Sequence, residues 1–189
     1  ESDIGDSETP LSPGTFTDVA SDYWGKAAID YVTGQGYFNG TSATTFSPSA
    51  PMTRAMLATV LWRMEGQPAS TGACPFTDVP AGQWYTDAVT WAAEQGIVTG
   101  MGDGIFAPDG NITREQLATM LYRYDGGTAV AADLSRFSDA GSISSWAAEA
   151  MDWAVAGGVL SGDDTGRLAP GGAATRAEVA QMLYNYSQR

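Results

Sequence analysis

Apolar residues fall at the i, i+3, i+4 interval of one helical face in three places: Leu57, Val60 and Leu61; Leu117, Met120 and Leu121; Val179, Met182 and Leu183. Each run is entered by a threonine, at 53, 113 and 175. Its hydroxyl is suited to accept the amide hydrogens that a first helical turn leaves unpaired. A second kind of apolar stripe precedes each of these runs. In Val89, Trp91, Ala92 and Ala93 it is broad, and Gly96 stops it. Between the two helices lies a segment such as Gly100-Met101-Gly102-Asp103-Gly104-Ile105-Phe106-Ala107-Pro108. It holds too many breakers for a helix and reads as a compact loop anchored by its phenylalanine.

This helix, loop, helix order occurs three times in register. Phe16-Thr17-Asp18-Val19, Phe76-Thr77-Asp78-Val79 and Phe137-Ser138-Asp139-Ala140 open the copies, and Trp24, Trp84 and Trp146 follow. Next come Ile29, Val89 and Met151, then Tyr31, Trp91 and Trp153. Glycines stand at 36, 96 and 158 and at 40, 100 and 162, followed by Phe46, Phe106 and Leu168 and by Pro48, Pro108 and Pro170. Thr53-Arg54, Thr113-Arg114 and Thr175-Arg176 complete the pattern. The copies span 16–66, 76–126 and 137–187, joined by short polar or small-residue connectors. Residues 1–15 are acidic and poor in apolar side chains, which describes a linker. A two-helix unit cannot bury its apolar face alone. Three copies at near-equal spacing therefore predict one all-α domain with pseudo-threefold packing and clefts between neighbours.

Charge and composition narrow the chemistry. Nine Lys+Arg against 22 Asp+Glu leave a net charge of -13, which repels nucleic acid and anionic lipid. An anionic ligand must then be gripped locally. Lys26 is the one lysine, so fixed positive charge is nearly all arginine, the planar fork suited to carboxylates. Histidine is absent, which removes the usual general base, zinc ligand and nucleophile partner. A single Cys74, in a connector, allows no intrachain disulfide. No apolar run approaches the ~20 residues of a bilayer span. The chain reads as cytosolic or as a mature secreted fragment, and no cofactor or metal is implied. The acidic loop residues Asp103, Asp109, Asp163 and Asp164 read as solvated turn residues, since their spacing is not that of a calcium loop.

Arginine at the first helical position is out of place three times, because the helix dipole disfavours a cation there by about 0.3–1 kcal/mol. In one reading, Arg54, Arg114 and Arg176 sit beside free helix N-terminal amides and form anion sites. In the other, they pair with Asp18, Asp78 or Asp139 and fasten the copies together. Thr113 and Thr175 complete capping boxes with Gln116 and Glu178, whereas Met56 offers the first copy no such acceptor. Trp24, Trp84 and Trp146 read first as core and alternatively as sugar-stacking faces. Gly40, Gly100 and Gly162 permit positive φ or a close ligand approach. Arg63 and Arg123 read as surface charges at helix ends.

Phe-Thr-Asp-Val, a tryptophan, a Gly-x-Phe-x-Pro loop and a Thr-Arg-Ala-Glu helix start, three times over, resemble the S-layer homology repeats of bacterial cell-surface proteins. The likeness covers residues 16 to about 187. It implies an all-helical triplet around a central three-helix bundle. It also implies a non-catalytic module anchoring an exported protein to an acidic, often pyruvylated, secondary cell-wall polysaccharide, outside the cell in the wall or S-layer. The anchored protein would lie upstream. Carried over by motif, the resemblance nominates Arg54, Arg114 and Arg176 as ligand contacts, with Trp24, Trp84, Trp146, Gly40, Gly100 and Gly162 as groove residues. Only Thr175-Arg176-Ala177-Glu178 keeps the helix-start motif whole, and the first loop, Gly40-Thr41-Ser42-Ala43-Thr44-Thr45-Phe46, lacks the inner glycine. A structural or protein-interaction helical repeat module with no glycan ligand is the competing function.

Overall fold

The computed structural model describes residues 16–189, so the linker expected at 1–15 lies outside the described residues. Six α-helices are found there and no strand: α1 (Lys26–Gly34), α2 (Arg54–Met64), α3 (Thr86–Glu94), α4 (Arg114–Tyr124), α5 (Ala148–Ala156) and α6 (Arg176–Ser187). Two short 3-10 turns, Ala140–Ser142 and Ser145–Ala147, lead into α5. The described residues are all-helical, as the periodicity predicts.

Thr53, Thr113 and Thr175 are the N-caps of α2, α4 and α6, and their side chains accept from Met56, Gln116 and Glu178 N–H. The reciprocal bond is present in all three copies, including the first. Thr175 N–H donates to Glu178 Oε2 at 2.8 Å, Thr113 N–H to Gln116 Oε1 at 3.2 Å and Thr53 N–H to Met56 Sδ at 3.4 Å. The expectation that Met56 has no acceptor is thus corrected: its thioether sulfur, a weak acceptor, turns back onto the cap.

The residues divide into two compact units, one of the chain to Pro51 together with Thr175–Arg189, the other Met52–Ala174. In the first unit α1 packs on α6; in the second α2 packs on α3 and α4 on α5. Each of these pairs joins the second helix of one copy to the first helix of the next, with the third copy followed by the first. That arrangement buries the apolar faces which a lone copy would leave in water. Phe46, Phe106 and Leu168, the loop anchors, are completely buried, as are Ile29, Val89 and Met151. Trp91 and Trp153 are also core.

Within the second unit, Met52, Ile112 and Ala174 close a ring of backbone hydrogen bonds. Met52 N–H donates to Ala174 O at 3.0 Å, Ala174 N–H to Ile112 O at 2.9 Å and Ile112 N–H to Met52 O at 2.8 Å. All three stand just before the cap threonine of their copy. A cyclic exchange among equivalent positions fits the pseudo-threefold relation expected from the repeat spacing.

Candidate functional site

The arginines turn out to hold neighbouring loops. Arg54 Nε donates to Phe106 O at 2.7 Å, Arg114 Nε to Leu168 O at 2.7 Å and Arg176 Nε to Phe46 O at 2.7 Å. Each therefore reaches the loop of the following copy. The same loop supplies the helix start with acceptors: Arg54 N–H donates to Gly110 O and Ala55 N–H to Pro108 O, with matching bonds from Arg114 and Glu115 and from Arg176 and Ala177. The first-turn amides are consumed, which corrects the expectation of free N–H groups beside each guanidinium. Carbonyl oxygens from the next copy answer both the amides and the misplaced cation.

Aspartate grips the other side of the same loop. Asp78 Oδ1 and Oδ2 accept from Phe106 and Ala107 N–H at 2.8 and 2.7 Å. Asp18 holds Phe46 and Ser47, and Asp139 holds Leu168 and Ala169, in the same way. Ser47, Ala107 and Ala169 have φ of 56°, 57° and 47°, a left-handed conformation costly for residues with a side chain. Two charge-assisted bonds from one carboxylate offset that strain. Arg54 and Asp78, like Arg176 and Asp18, thus meet through the peptide between them, a bridged pairing in place of the anticipated direct one.

The three guanidinium groups differ in what they have left to offer. Arg176 is 3% exposed, stacks over Phe46 at 4.5 Å and gives Nη2 to Asn39 O at 2.8 Å. Burial pushes its pKa down to about 10, against the opposing charge of Asp18. Arg114 is half-buried, faces an aliphatic Leu168 and reaches Ser161 O with Nη2 at 3.4 Å. Arg54 is 6% exposed and stacks over Phe106 at 4.8 Å. Burial lowers its pKa too, with Asp78 opposing. Its terminal nitrogens find no acceptor among the described residues, and none of the fully buried side-chain nitrogens or oxygens there lacks a partner. Those nitrogens consequently keep access to solvent.

Arg54 also lines a cavity of about 320 Å3 inside the second unit. Arg54 forms one wall; Ile97, Val98, Thr99, Gly100 and Met101 form the loop side; Gln116, Thr119, Met120 and Arg123 come from α4; Trp146 closes an edge. Arg123 brings a second cation, its Nη1 lying 3.4 Å from Ile97 O and 3.5 Å from Thr99 Oγ1. Two guanidinium groups beside thioether, aliphatic and indole surfaces suit a small acid that also has an apolar face.

Trp24, Trp84 and Trp146 are 59%, 38% and 56% exposed, so the core reading fails for them. Gly100 has φ +78°, and a Cβ there would lie 2.7 Å from Ile105 O and 2.8 Å from the Phe76 ring. Gly162 and Gly40 lack positive φ, yet a Cβ would meet the Phe137 or Phe16 ring at 2.7 Å. These glycines are there so that the opening phenylalanine of each copy can lie against its loop.

The S-layer homology domain pattern matches at residues 15–56, 75–118 and 136–180. The chain belongs to the S-layer homology domain family. It is a cell-surface anchoring module associated with the cell wall. It is 36% identical over 172 residues to an endoglucanase of Bacillus sp. (strain KSM-635), covering 89% of this chain and 18% of that protein. It is 32% identical to S-layer protein sap of Bacillus anthracis, covering 89% of this chain and 21% of that protein. The Surface-layer 125 kDa protein of Lysinibacillus sphaericus is 31% identical over 85% of this chain and 14% of its own length. The chain spans about a fifth or less of these relatives. No described helix is long and apolar enough to cross a membrane.

For an S-layer homology chain, then, the Thr-Arg pair is first a fastening between successive copies. Of the residues nominated from sequence, Arg54, Gly100 and Trp146 come together in the cavity, drawn from three different copies. Arg123, Gln116, Thr119 and Met101 were missed as lining residues. The signal for Arg123 was visible, since Arg63 matches it in register. Asn185 in the third copy argued for a surface charge instead.

Proposed function

We propose that the chain binds an acidic secondary cell-wall polysaccharide and that the cavity at Arg54 and Arg123 receives its acidic substituent. The observation that carries this is a cavity lined by two guanidinium groups, of which Arg54 has terminal nitrogens without an acceptor among the described residues. A pyruvyl ketal fits the lining well: its carboxylate matches the two cations and its methyl group matches Met101, Met120 and Val98. Trp146 offers a face to the sugar ring. Arg114 and Arg176, with Trp24, Trp84, Gly40 and Gly162, hold the equivalent places in the repeat register. Arg176, buried and doubly engaged with carbonyls, contributes chiefly to holding its loop. Whatever protein this module anchors, the module itself is non-catalytic. It has no histidine, and the aspartate shared by all copies is committed to backbone amides.

Calorimetric titration with a pyruvylated wall oligosaccharide tests the assignment. Arg54→Ala and Arg123→Ala should each weaken binding by about tenfold or more, the loss of a charged hydrogen bond. Arg123→Ala is the cleaner variant, because its long contacts with the loop mean the fold should survive. Undiminished binding in both variants would remove the cavity from the mechanism. If the wild-type chain bound no such oligosaccharide and both variants lowered the melting temperature, the competing reading would stand: a helical interaction module whose arginines are fasteners and nothing else.

A further inference from the structure

Glu115 breaks the repeat pattern, since Ala55 and Ala177 fill its position in the other copies. It is 7% exposed, in the first turn of α4 where the helix dipole favours an anion. Both of its oxygens grip one residue of the third copy: Oε2 accepts from Ser144 N–H at 2.9 Å and Oε1 from Ser144 Oγ at 2.9 Å. Ser144 in turn starts the 3-10 turn Ser145–Ala147, closed by Ala147 N–H onto Ser144 O at 2.9 Å. Trp146 lies inside that turn.

The other two exposed tryptophans have a neighbour in sequence to brace them. Trp24 packs against Tyr23 with ring centroids 5.4 Å apart, and Trp84 against Tyr85 at 5.0 Å. Trp146 is flanked by Ser145 and Ala147, which offer no ring. The third copy also has one more residue between its aspartate and its tryptophan than the first two, a longer and looser approach. An indole that is 56% exposed, on a longer turn and without an aromatic brace, must take its position from the backbone. The carboxylate clamp on Ser144 supplies that hold.

We propose that Glu115 is a positioning residue for the binding cavity: by clamping Ser144 it fixes the turn that sets Trp146 at the cavity edge beside Arg54 and Arg123. The binding half of this claim rests on the glycan reading above; the positioning half does not. The test uses the full chain labelled with fluorotryptophan, the Trp146 resonance being assigned by its loss in Trp146→Phe. In Glu115→Ala the Trp146 signal should shift or broaden while Trp91 and Trp153 stay unchanged. Glu115→Gln, which keeps an acceptor for the Ser144 N–H, should restore most of the wild-type signal. Ser144→Ala, losing only the hydroxyl bond, should fall between. A Trp146 signal unmoved in Glu115→Ala, or a melting temperature lowered with no such movement, overturns the proposal whatever the ligand proves to be. If Glu115→Ala does not fold, Glu115→Gln and Ser144→Ala decide by the same readout.

Affinity for a pyruvylated oligosaccharide supplies the second arm. Glu115→Ala should lose about tenfold, and Trp146→Ala should add little on top of it, since contacting residues are not additive. Full additivity would separate the two residues and refute the link. No binding by the wild-type chain, with the Trp146 signal still dependent on Glu115, would retire the glycan reading and leave the positioning role intact.

Discussion

A carboxylate that accepts from two consecutive amides is a strong local fastener, and the protein uses one in each copy. Burial alone would raise the pKa of Asp78 and of Asp139, but the backbone donors outweigh it. With Arg54 near Asp78 and Arg167 near Asp139, both carboxyls sit below the ordinary aspartate value. A depressed folded-state pKa contributes stability above the unfolded value, about pH 3.9, and loses it as pH falls through the folded one. Melting temperature should therefore hold steady from neutral pH to about 5 and fall below about 4. Asp78→Asn should lower it at pH 7 and flatten the acid limb. An equally steep limb in the variant would mean that other acids govern it. At this scale the sequence exposed the anomaly, a cation at three helix starts, and the dipole argument rightly marked it. The answer was not legible because the partners are main-chain carbonyls of another copy, which carry no sequence signature.

Helices were the most legible elements, since periodic apolar faces, cap threonines and stop glycines act within a few residues of one another. Gly36, Gly96 and Gly158 do take the left-handed φ of helix ends. The pairing of helices was not legible, because α2 on α3 and α4 on α5 depends on which copy's stripe meets which. The three exposed tryptophans show the same limit: residue type suggests burial, whereas their location in short turns ahead of the first helices leaves them outside. Cap quality offers a test at this level. The thioether of Met56 is the weakest of the three reciprocal acceptors, so Met56→Gln, copying the second copy, should stabilise the protein by about 0.5 kcal/mol. Gln116→Met should cost a similar amount. Chemical denaturation of both variants measures this, and a loss of stability in Met56→Gln would show that the methionine packs more than it caps.

Across the whole molecule, a net charge of -13 sets the problem that the proposed glycan binding would have to meet. An acidic protein approaching an acidic wall polymer meets repulsion at long range, screened over about 8 Å at physiological salt. On the proposed glycan reading attraction comes from short, directed contacts, which Arg54 and Arg123 in one cavity would supply. The repeat architecture was evident from spacing alone, and the family's motif singled out the three arginines that fasten the loops. It could not tell which arginine keeps unspent donors, because that depends on whether Asn39, Ser161 or Thr99 offers its carbonyl. The most direct test is co-sedimentation of the protein with purified cell walls at physiological salt, before and after mild acid removal of ketal-linked carboxylates from the wall glycan. Binding to untreated walls that is lost on that treatment, and is weak from the outset in Arg123→Ala, is the predicted result. Equal sedimentation with treated and untreated walls would contradict the account.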